Sequence, residues 1–315
     1  MKIVLTDAQT VVDDIVSADI LSSFGEVVSH GLLTYEEVAE AISDADIVVC
    51  NKTLLNGHSL RFAQKLRYIG LFATGYNNID ISYCRSHGIT VCNAGSYSTN
   101  AVAQHTFALI LAHYNKVAQY NRFVQDGMWM RSPTFSPFVY PLNELAGKTL
   151  GIVGLGAIGQ AVARIANAFG MNVITFNRSV RNVDGVLQVS FDELLSQSDI
   201  VSVHCPLNED SKDMFDRKAF ARMKHGALFV NTARGGLMVE QDLADALHSG
   251  HLGGACIDTL SVEPMEESCV LMSEKNCIIT PHIAWAPVET RQRLMGIVAD
   301  NIRCFLNGTP QNVVS

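Results

Sequence analysis

TLGIVGLGAIG, residues 149–159, decides the fold. Its first five residues form an apolar, strand-like run. Gly154, Gly156 and Gly159 follow in a GxGxxG spacing, with Ala157 and Ile158 between the last two. AVARIANAFG (161–170) continues with helical spacing and closes on Gly170, a residue suited to end a helix. MNVITF (171–176) is the next strand. The motif therefore has its full strand–turn–helix–strand setting and does not stand alone. Gly154 permits the tight turn, Gly156 lets a pyrophosphate approach the backbone, and Gly159 lets helix and strand pack closely. The helix N-terminus offers unpaired N–H groups and the positive end of its dipole to phosphates. These residues read as the phosphate-binding turn of a nicotinamide dinucleotide site on a Rossmann-type unit.

One position departs from the pattern expected for NAD. The second strand of such a unit usually ends near an Asp or Glu that holds the adenosine ribose 2′-hydroxyl. Here it ends in Asn177-Arg178-Ser179. Asn177 can bond a hydroxyl without repelling a 2′-phosphate, and Arg178 can pair with that phosphate. Arg178 can equally point to solvent. The reading leans to NADP(H) and keeps NAD(H) open.

Outward from this unit, short apolar runs alternate with helical patterns. KIVLTD opens the chain as a strand, and DIVVCN near residue 47, LRYIGLFAT near 68 and ITVCN near 90 read as further strands. EEVAEAIS, SLRFAQK and ISYCRSHG between them have helix-like spacing. Repeated β-then-α units predict a parallel sheet with helices on both faces. Residues 100–125 read as one long helix, followed by GMWMRSPTFSPFVYP, a loop rich in aromatics and proline. A second α/β series runs from KTLGIVG to CIIT near 280, and residues 288–306 read as a terminal helix.

The 315 residues accommodate two domains. A 48% hydrophobic and 17% charged composition fits a compact globular protein. The formal net charge of −8, with no Lys/Arg run, disfavours nucleic-acid binding. No apolar run reaches membrane-spanning length, and the polar turn after MKIVL does not fit a signal peptide. The eight cysteines are scattered without a CxxC pair, so a reduced, cytoplasmic protein with no structural metal is expected. His248 and His251 have HxxH spacing but flank Gly250 at a helix end without an evident third ligand. Met128, Trp129 and Met130 read as packing residues of a loop or subunit contact.

Open parallel sheets bind ligands beyond the carboxyl ends of their strands. DIVSVH (199–204) ends at Cys205-Pro206, and ALFVNT (227–232) ends at Ala233-Arg234-Gly235-Gly236. GACID (254–258) ends at Asp258 and runs on to Glu263-Pro264, and CIIT (277–280) ends at Pro281-His282. An Arg, a Glu and a His thus follow strand ends on the cofactor side. Hydride exchange with a hydroxy acid needs a base for the hydroxyl proton, and His is matched to neutral pH. A neighbouring carboxylate fixes its tautomer, and an Arg binds the substrate carboxylate. Arg234, Glu263 and His282 can fill these roles, although each alone also has an ordinary structural reading.

Several segments carry a resemblance: ATGYNNID (73–80), STNAVAQHTFAL (98–109), LAGKTLGIVGLGAIG (145–159), NTARGGLMVEQDLADAL (231–247), ACIDTLSVEP (255–264) and ITPHIAWAP (279–287). Through them the chain resembles the D-isomer-specific 2-hydroxyacid dehydrogenases along nearly its whole length. The AWA after His282 and the DTLSVEP run look most like the glycerate dehydrogenase, or hydroxypyruvate reductase, branch. The resemblance implies Arg234, Glu263 and His282 as the catalytic triad, with His282 as acid/base. It places a substrate carboxylate against the Thr74–Gly75 turn as well as Arg234 and His282. It brings Val102, Ala157, Ile158, Cys205, Pro206, Thr232, Ala233, Arg234, Asp258, His282 and Ala284 to the cofactor. It also implies two Rossmann-like domains: a smaller flavodoxin-like substrate domain (1–98 plus 288–315) and a doubly wound dinucleotide-binding domain (99–287). Family members commonly form homodimers through the long helix and the loop after it. The expected reaction is reduction of a small 2-ketoacid, hydroxypyruvate or glyoxylate first. Two other readings stay open: a nicotinamide-sensing, corepressor-like binding protein, and a dehydrogenase of a larger or phosphorylated acid, for which Lys52 and Arg131 are the candidate handles.

Overall fold

A computed structural model describes residues 1–315 and divides them into two compact units, Met1–Ser98 with Trp285–Ser315, and Thr99–Ala284. The first holds strands β1 (Lys2–Leu5), β2 (Glu26–Ser29), β3 (Ile47–Cys50), β4 (Tyr68–Leu71) and β5 (Thr90–Cys92). Its helices are α1 (Tyr35–Ala41), α2 (Gly57–Leu60), α3 (Ile81–Ser86) and, from the C-terminus, α10 (Val288–Leu306). All neighbouring strands are parallel, in the order β2-β1-β3-β4-β5, the flavodoxin-like arrangement.

The strands are apolar throughout because both of their faces are covered. Alternate residues serve opposite layers. Ile3, Leu5, Ile47, Val49 and Tyr68 pack with Leu294, Met295, Val298 and Ile302 of α10. Val4, Val48, Cys50, Ile69 and Leu71 pack with Val38, Leu60 and Cys84 of the other three helices. Helix α1 starts where Thr34 N–H and Oγ1 both donate to Glu37 Oε2, at 2.8 and 2.9 Å.

The second unit holds α4 (Thr99–Asn115), α5 (Val117–Gln125), β6 (Thr149–Val153), α6 (Ala157–Ala168), β7 (Asn172–Phe176) and β8 (Val186–Gln188). It continues with α7 (Phe191–Gln197), β9 (Ile200–Val203), α8 (Arg217–Arg222), β10 (Leu228–Asn231), α9 (Glu240–His248), β11 (Gly254–Ile257) and β12 (Cys277–Ile279). Its seven strands are parallel in the order β12-β11-β10-β9-β6-β7-β8. The chain reverses its direction of travel across the sheet between β6 and β9, the crevice where doubly wound sheets take ligands. Val201, Val203, Phe229 and Ile257 face one apolar layer, whereas Ile200, Leu228, Val230 and Cys256 face the other.

Three details differ from the sequence reading. The helix expected over 100–125 is two helices, broken at Lys116, whose φ of +51° is left-handed. Apolar spacing runs through such a break because one residue's torsion leaves the periodicity intact. Tyr120 of α5 is instead tied to the following loop, donating to Tyr140 O at 2.9 Å and accepting from Tyr140 N–H at 3.1 Å. SLRFAQK contributes only the end of the one-turn α2 before the chain enters turns. Strands β2 and β8 were not anticipated. Both are short sheet edges, partly exposed, and lack a continuous apolar run.

Candidate active site

Strand β6 delivers the chain to Gly154 at φ +98°, where a side chain is both strained and obstructed. A Cβ there would lie 2.6 Å from Cys205 N and 2.8 Å from Cys205 Cα, so the turn is packed onto the backbone that leaves β9. Gly159 lies buried with its Cα against the Gly154 carbonyl. Gly156 differs: a Cβ on it would meet nothing within 4 Å. The start of α6, with Ala157 and Ile158, therefore presents its unpaired N–H groups beside open space at Gly156, which suits a pyrophosphate. The residues fit a dinucleotide on these grounds.

At the end of β7, Asn177 Oδ1 accepts Leu155 N–H at 3.1 Å, and its Nδ2 donates to Ser179 O at 2.7 Å. Asn177 thus ties the glycine turn, through its Oδ1, to the loop after β7, which its Nδ2 holds. Arg178 is exposed and its Nη1 stands 3.3 Å from Asp210 Oδ2, also exposed. Such a surface pair is worth little and opens readily to a stronger anion.

Beyond β10, Asn231 organises a turn that the sequence reading passed over. Its Oδ1 accepts Ala233 N–H at 3.0 Å and its Nδ2 donates to Arg234 O at 2.9 Å. An Asn bonding the backbone two residues on is the available sequence signal, an Asx turn. Thr232 Oγ1 lies 3.1 Å from Thr106 Oγ1, which itself donates to Val102 O at 2.8 Å, so Val102 and Thr232 are joined through Thr106. Arg234 is exposed, and its Nη1 folds back to Ala233 O at 2.7 Å, leaving most of its donor fork for an external anion. Burial pushes the Cys205 thiol up to about 11, so it stays protonated. Pro206 is exposed, and its carbonyl accepts Ser211 Oγ at 2.7 Å.

Asp258 directly follows β11, with 1% of its surface exposed. Its Oδ1 accepts Thr280 Oγ1 at 2.6 Å and Ile283 N–H at 2.9 Å, and its Oδ2 accepts Ala284 N–H at 3.0 Å. His105 Nε2 stands 3.4 Å from Oδ1 and 3.0 Å from Thr280 Oγ1. Burial pushes the Asp258 carboxyl up, but the hydrogen bonds from His105, Thr280, Ala284 and Ile283 outweigh it and hold the group below the usual carboxylate range. This clamp on residues 280–284 encloses His282, whose φ of +53° is unfavourable for a residue with a Cβ by about 1 kcal/mol. His282 Nδ1 then meets Glu263 Oε2 at 2.7 Å. A carboxylate only accepts, so Nδ1 carries the proton and Nε2 is left for chemistry. Glu263 Oε1 is held separately by Leu260 N–H at 2.9 Å.

His204, at the end of β9, is the other imidazole near a strand terminus. Burial pushes it down to about 3, so it is neutral near pH 7 and has no proton to give. Its Nε2 lies 2.8 Å from Ser202 Oγ. His248 and His251 have separate partners: His248 Nδ1 is 3.7 Å from Glu274 Oε1, and His251 Nε2 is 3.0 Å from Phe220 O.

In the first unit, Thr74 Oγ1 donates to Gly95 O, and Asn93 Nδ2 donates to Thr74 O at 2.8 Å. The loop after β3 is clamped from beneath by buried Asp7. Its carboxylate accepts the N–H groups of Asn51, Lys52 and Thr53 at 2.6 to 3.0 Å. Asn78 Nδ2 donates to Thr53 O at 2.8 Å and so stitches that loop to the one bearing Thr74 and Gly75. Arg131 sits exposed in the loop of the second unit that follows α5.

Residues 107–284 match the pattern of the D-isomer specific 2-hydroxyacid dehydrogenase NAD binding domain, which is more than half of the chain. This chain belongs to that family. It is an oxidoreductase acting on 2-hydroxy acids with a nicotinamide cofactor. A hydroxypyruvate reductase of Blautia hydrogenotrophica is 41% identical, with 100% of both chains covered. A glycerate dehydrogenase of Methylorubrum extorquens is 38% identical over 89% of each. These relatives place the dehydrogenase in the glycerate dehydrogenase and hydroxypyruvate reductase branch. Among solved structures, an acyclic imino acid reductase in complex with NADPH and D-Arg superposes with a TM-score of 0.88 at 33% identity, covering 100% of both chains.

Proposed function

We propose that this dehydrogenase reduces hydroxypyruvate, and glyoxylate beside it, to the D-hydroxy acid. The observation that carries the reading is the 2.7 Å contact of His282 Nδ1 with Glu263 Oε2 on a loop held by Asp258. The Gly154–Gly159 turn would hold the pyrophosphate of the nicotinamide cofactor, which would supply the hydride when bound. His282 Nε2 gives its proton to the carbonyl oxygen, and Glu263 stabilises the imidazolium before transfer and keeps the ring turned afterwards. Arg234 pairs with the substrate carboxylate and draws charge from the carbonyl. The family resemblance also assigns Thr74 and Gly75 to substrate binding. Val102, Cys205, Pro206, Thr232, Ala233, Asp258 and Ala284 are the residues that would line the cofactor by the family resemblance. The names of the two relatives support the substrate. By the family resemblance, the unit of residues 1–98 with 285–315 binds the acid and the unit of 99–284 binds the cofactor, three residues short of the boundary at 287 that the sequence predicts.

The cofactor is NADP(H) by preference. Asn177 places no negative charge at the end of β7, and Arg178 exchanges a weak Asp210 pair for the 2′-phosphate. A 340 nm assay of hydroxypyruvate, glyoxylate, pyruvate and phosphohydroxypyruvate with NADH and NADPH tests both claims. Rapid oxidation with the first two acids is expected. Arg178→Ala should raise KM for NADPH about tenfold and leave KM for NADH nearly unchanged, since one charge-assisted hydrogen bond is worth ~1.5–3 kcal/mol before surface screening. Equal KM changes for both cofactors would remove Arg178 from discrimination.

The protein works as a cytoplasmic homodimer. Its eight unpaired thiols accord with a reducing compartment. Met130, Phe135 and Phe138, in the loop after α5, are 88, 90 and 88% exposed, a concentration of apolar surface that a subunit contact would cover. Sedimentation equilibrium should return twice the 34.3 kDa chain mass. A monomer at micromolar concentration would refute this assembly.

A further inference from the structure

We propose that Glu240 is a positioning residue for proton transfer: it holds Ser261 N–H and so steadies the adjoining Leu260, whose own N–H fixes the Glu263 carboxylate. The inference rests on the roles assigned above to His282 and Glu263. Glu240 is the first residue of α9, and its Oε1 accepts Ser261 N–H at 2.7 Å, outside its own helix. The preceding N–H, of Leu260, donates to Glu263 Oε1 at 2.9 Å, while Glu263 Oε2 takes His282 Nδ1 at 2.7 Å. A chain of three hydrogen bonds therefore runs from the start of α9 to the imidazole.

The anchor matters because the segment has few others. Residues 258–269 lie in no helix or strand, and residues 261–268 are exposed. On its other side the Leu260–Ser261 peptide rests on Gly235, where any Cβ would overlap the Leu260 carbonyl and Ser261 N. The peptide is thus gripped between Glu240 and the turn that carries Arg234. Without the Glu240 carboxylate, Ser261 N–H loses its acceptor and the backbone at Leu260 loses one of its two holds. Leu260 N–H then leaves Glu263 Oε1, and the carboxylate no longer aims the ring. The Glu240 carboxylate bonds Ser261, whereas His282 Nδ1 bonds Glu263, so Glu240 acts on the imidazole only through Glu263.

A Glu at a helix start also favours the helix dipole, and two variants separate the roles. Glu240→Gln keeps an acceptor oxygen at full reach without the charge. Glu240→Asp keeps the charge but is one methylene too short for Ser261. Positioning predicts that Glu240→Asp and Glu240→Ala lower kcat about tenfold, with KM for the cofactor unchanged, and that Glu240→Gln retains most activity. In a Glu263→Ala background, Glu240→Ala should have no further effect, because both changes act on one carboxylate. The Nδ1 proton of His282, held against a carboxylate, should give a low-field NMR signal that weakens in Glu240→Asp and persists in Glu240→Gln. Equal loss from Glu240→Ala in both backgrounds, or an unmoved signal in Glu240→Asp, would overturn the proposal. If the wild-type protein reduces no ketoacid, the functional reading fails, and the His282 signal still decides on Glu240.

Discussion

His282→Ala should lower kcat for ketoacid reduction by about 10²–10⁴-fold, the usual contribution of a positioned general acid. Cofactor affinity, followed by quenching of protein fluorescence, should stay within about twofold, since the glycine turn and its phosphate contacts lie on other elements. The effect is large because neither His204 nor His105, the other imidazoles near these strand ends, is placed to take over. His204 is half-buried and held neutral, and His105 is committed to Asp258 and Thr280. A backbone artefact is separable from the chemical loss. His282 occupies φ +53°, a torsion that Asn tolerates better than most residues. His282→Asn should therefore keep the loop at its present strain while removing the proton donor, and should lose as much turnover as the Ala variant. Near-normal kcat in either purified variant would end the assignment of His282 as acid.

Gly154→Ala should cost about 3 kcal/mol or more. The left-handed torsion contributes ~1–2 kcal/mol, and forcing a methyl to 2.6 Å from Cys205 N adds an overpacking cost of comparable size. For a unit of this size that is a fall in Tm of roughly 10 °C, with cofactor binding weakened as the turn is displaced. Gly156→Ala provides the contrast. Its Cβ enters open space, so stability should change little, while the methyl occupies the space left for the pyrophosphate and weakens cofactor binding sharply. Thermal unfolding without ligand, together with cofactor titration, separates the two. If Gly156→Ala binds cofactor normally, the pyrophosphate does not cross that residue.

Much of the architecture was legible because its causes are local. Runs such as IVVC at 47–50 and YIGL at 68–71 are apolar at every position, which only a strand covered on both faces accommodates. The same logic exposed the strand ends after which Arg234, Glu263 and His282 stand. Edges were less visible: EVVS at 26–29 and VLQ at 186–188 are half-covered, so burial imposes a weaker pattern on them. The break at Lys116 was invisible for another reason, since a single torsion does not disturb apolar spacing.

The sequence by itself determined the parallel α/β sheets and the glycine turn, because steric demand and residue periodicity act within a few residues along the chain. Only the tertiary structure decided the arrangement of the site. The meeting of His282 with Glu263, the grip of Asp258 on residues 280–284, and the contact of Glu240 with Ser261 join residues 19 to 26 positions apart. Hydrogen bonds of 2.7–3.0 Å are directional, and their partners are selected by strand register and loop path. Hydrophobic spacing, which is non-directional, carries no record of those choices.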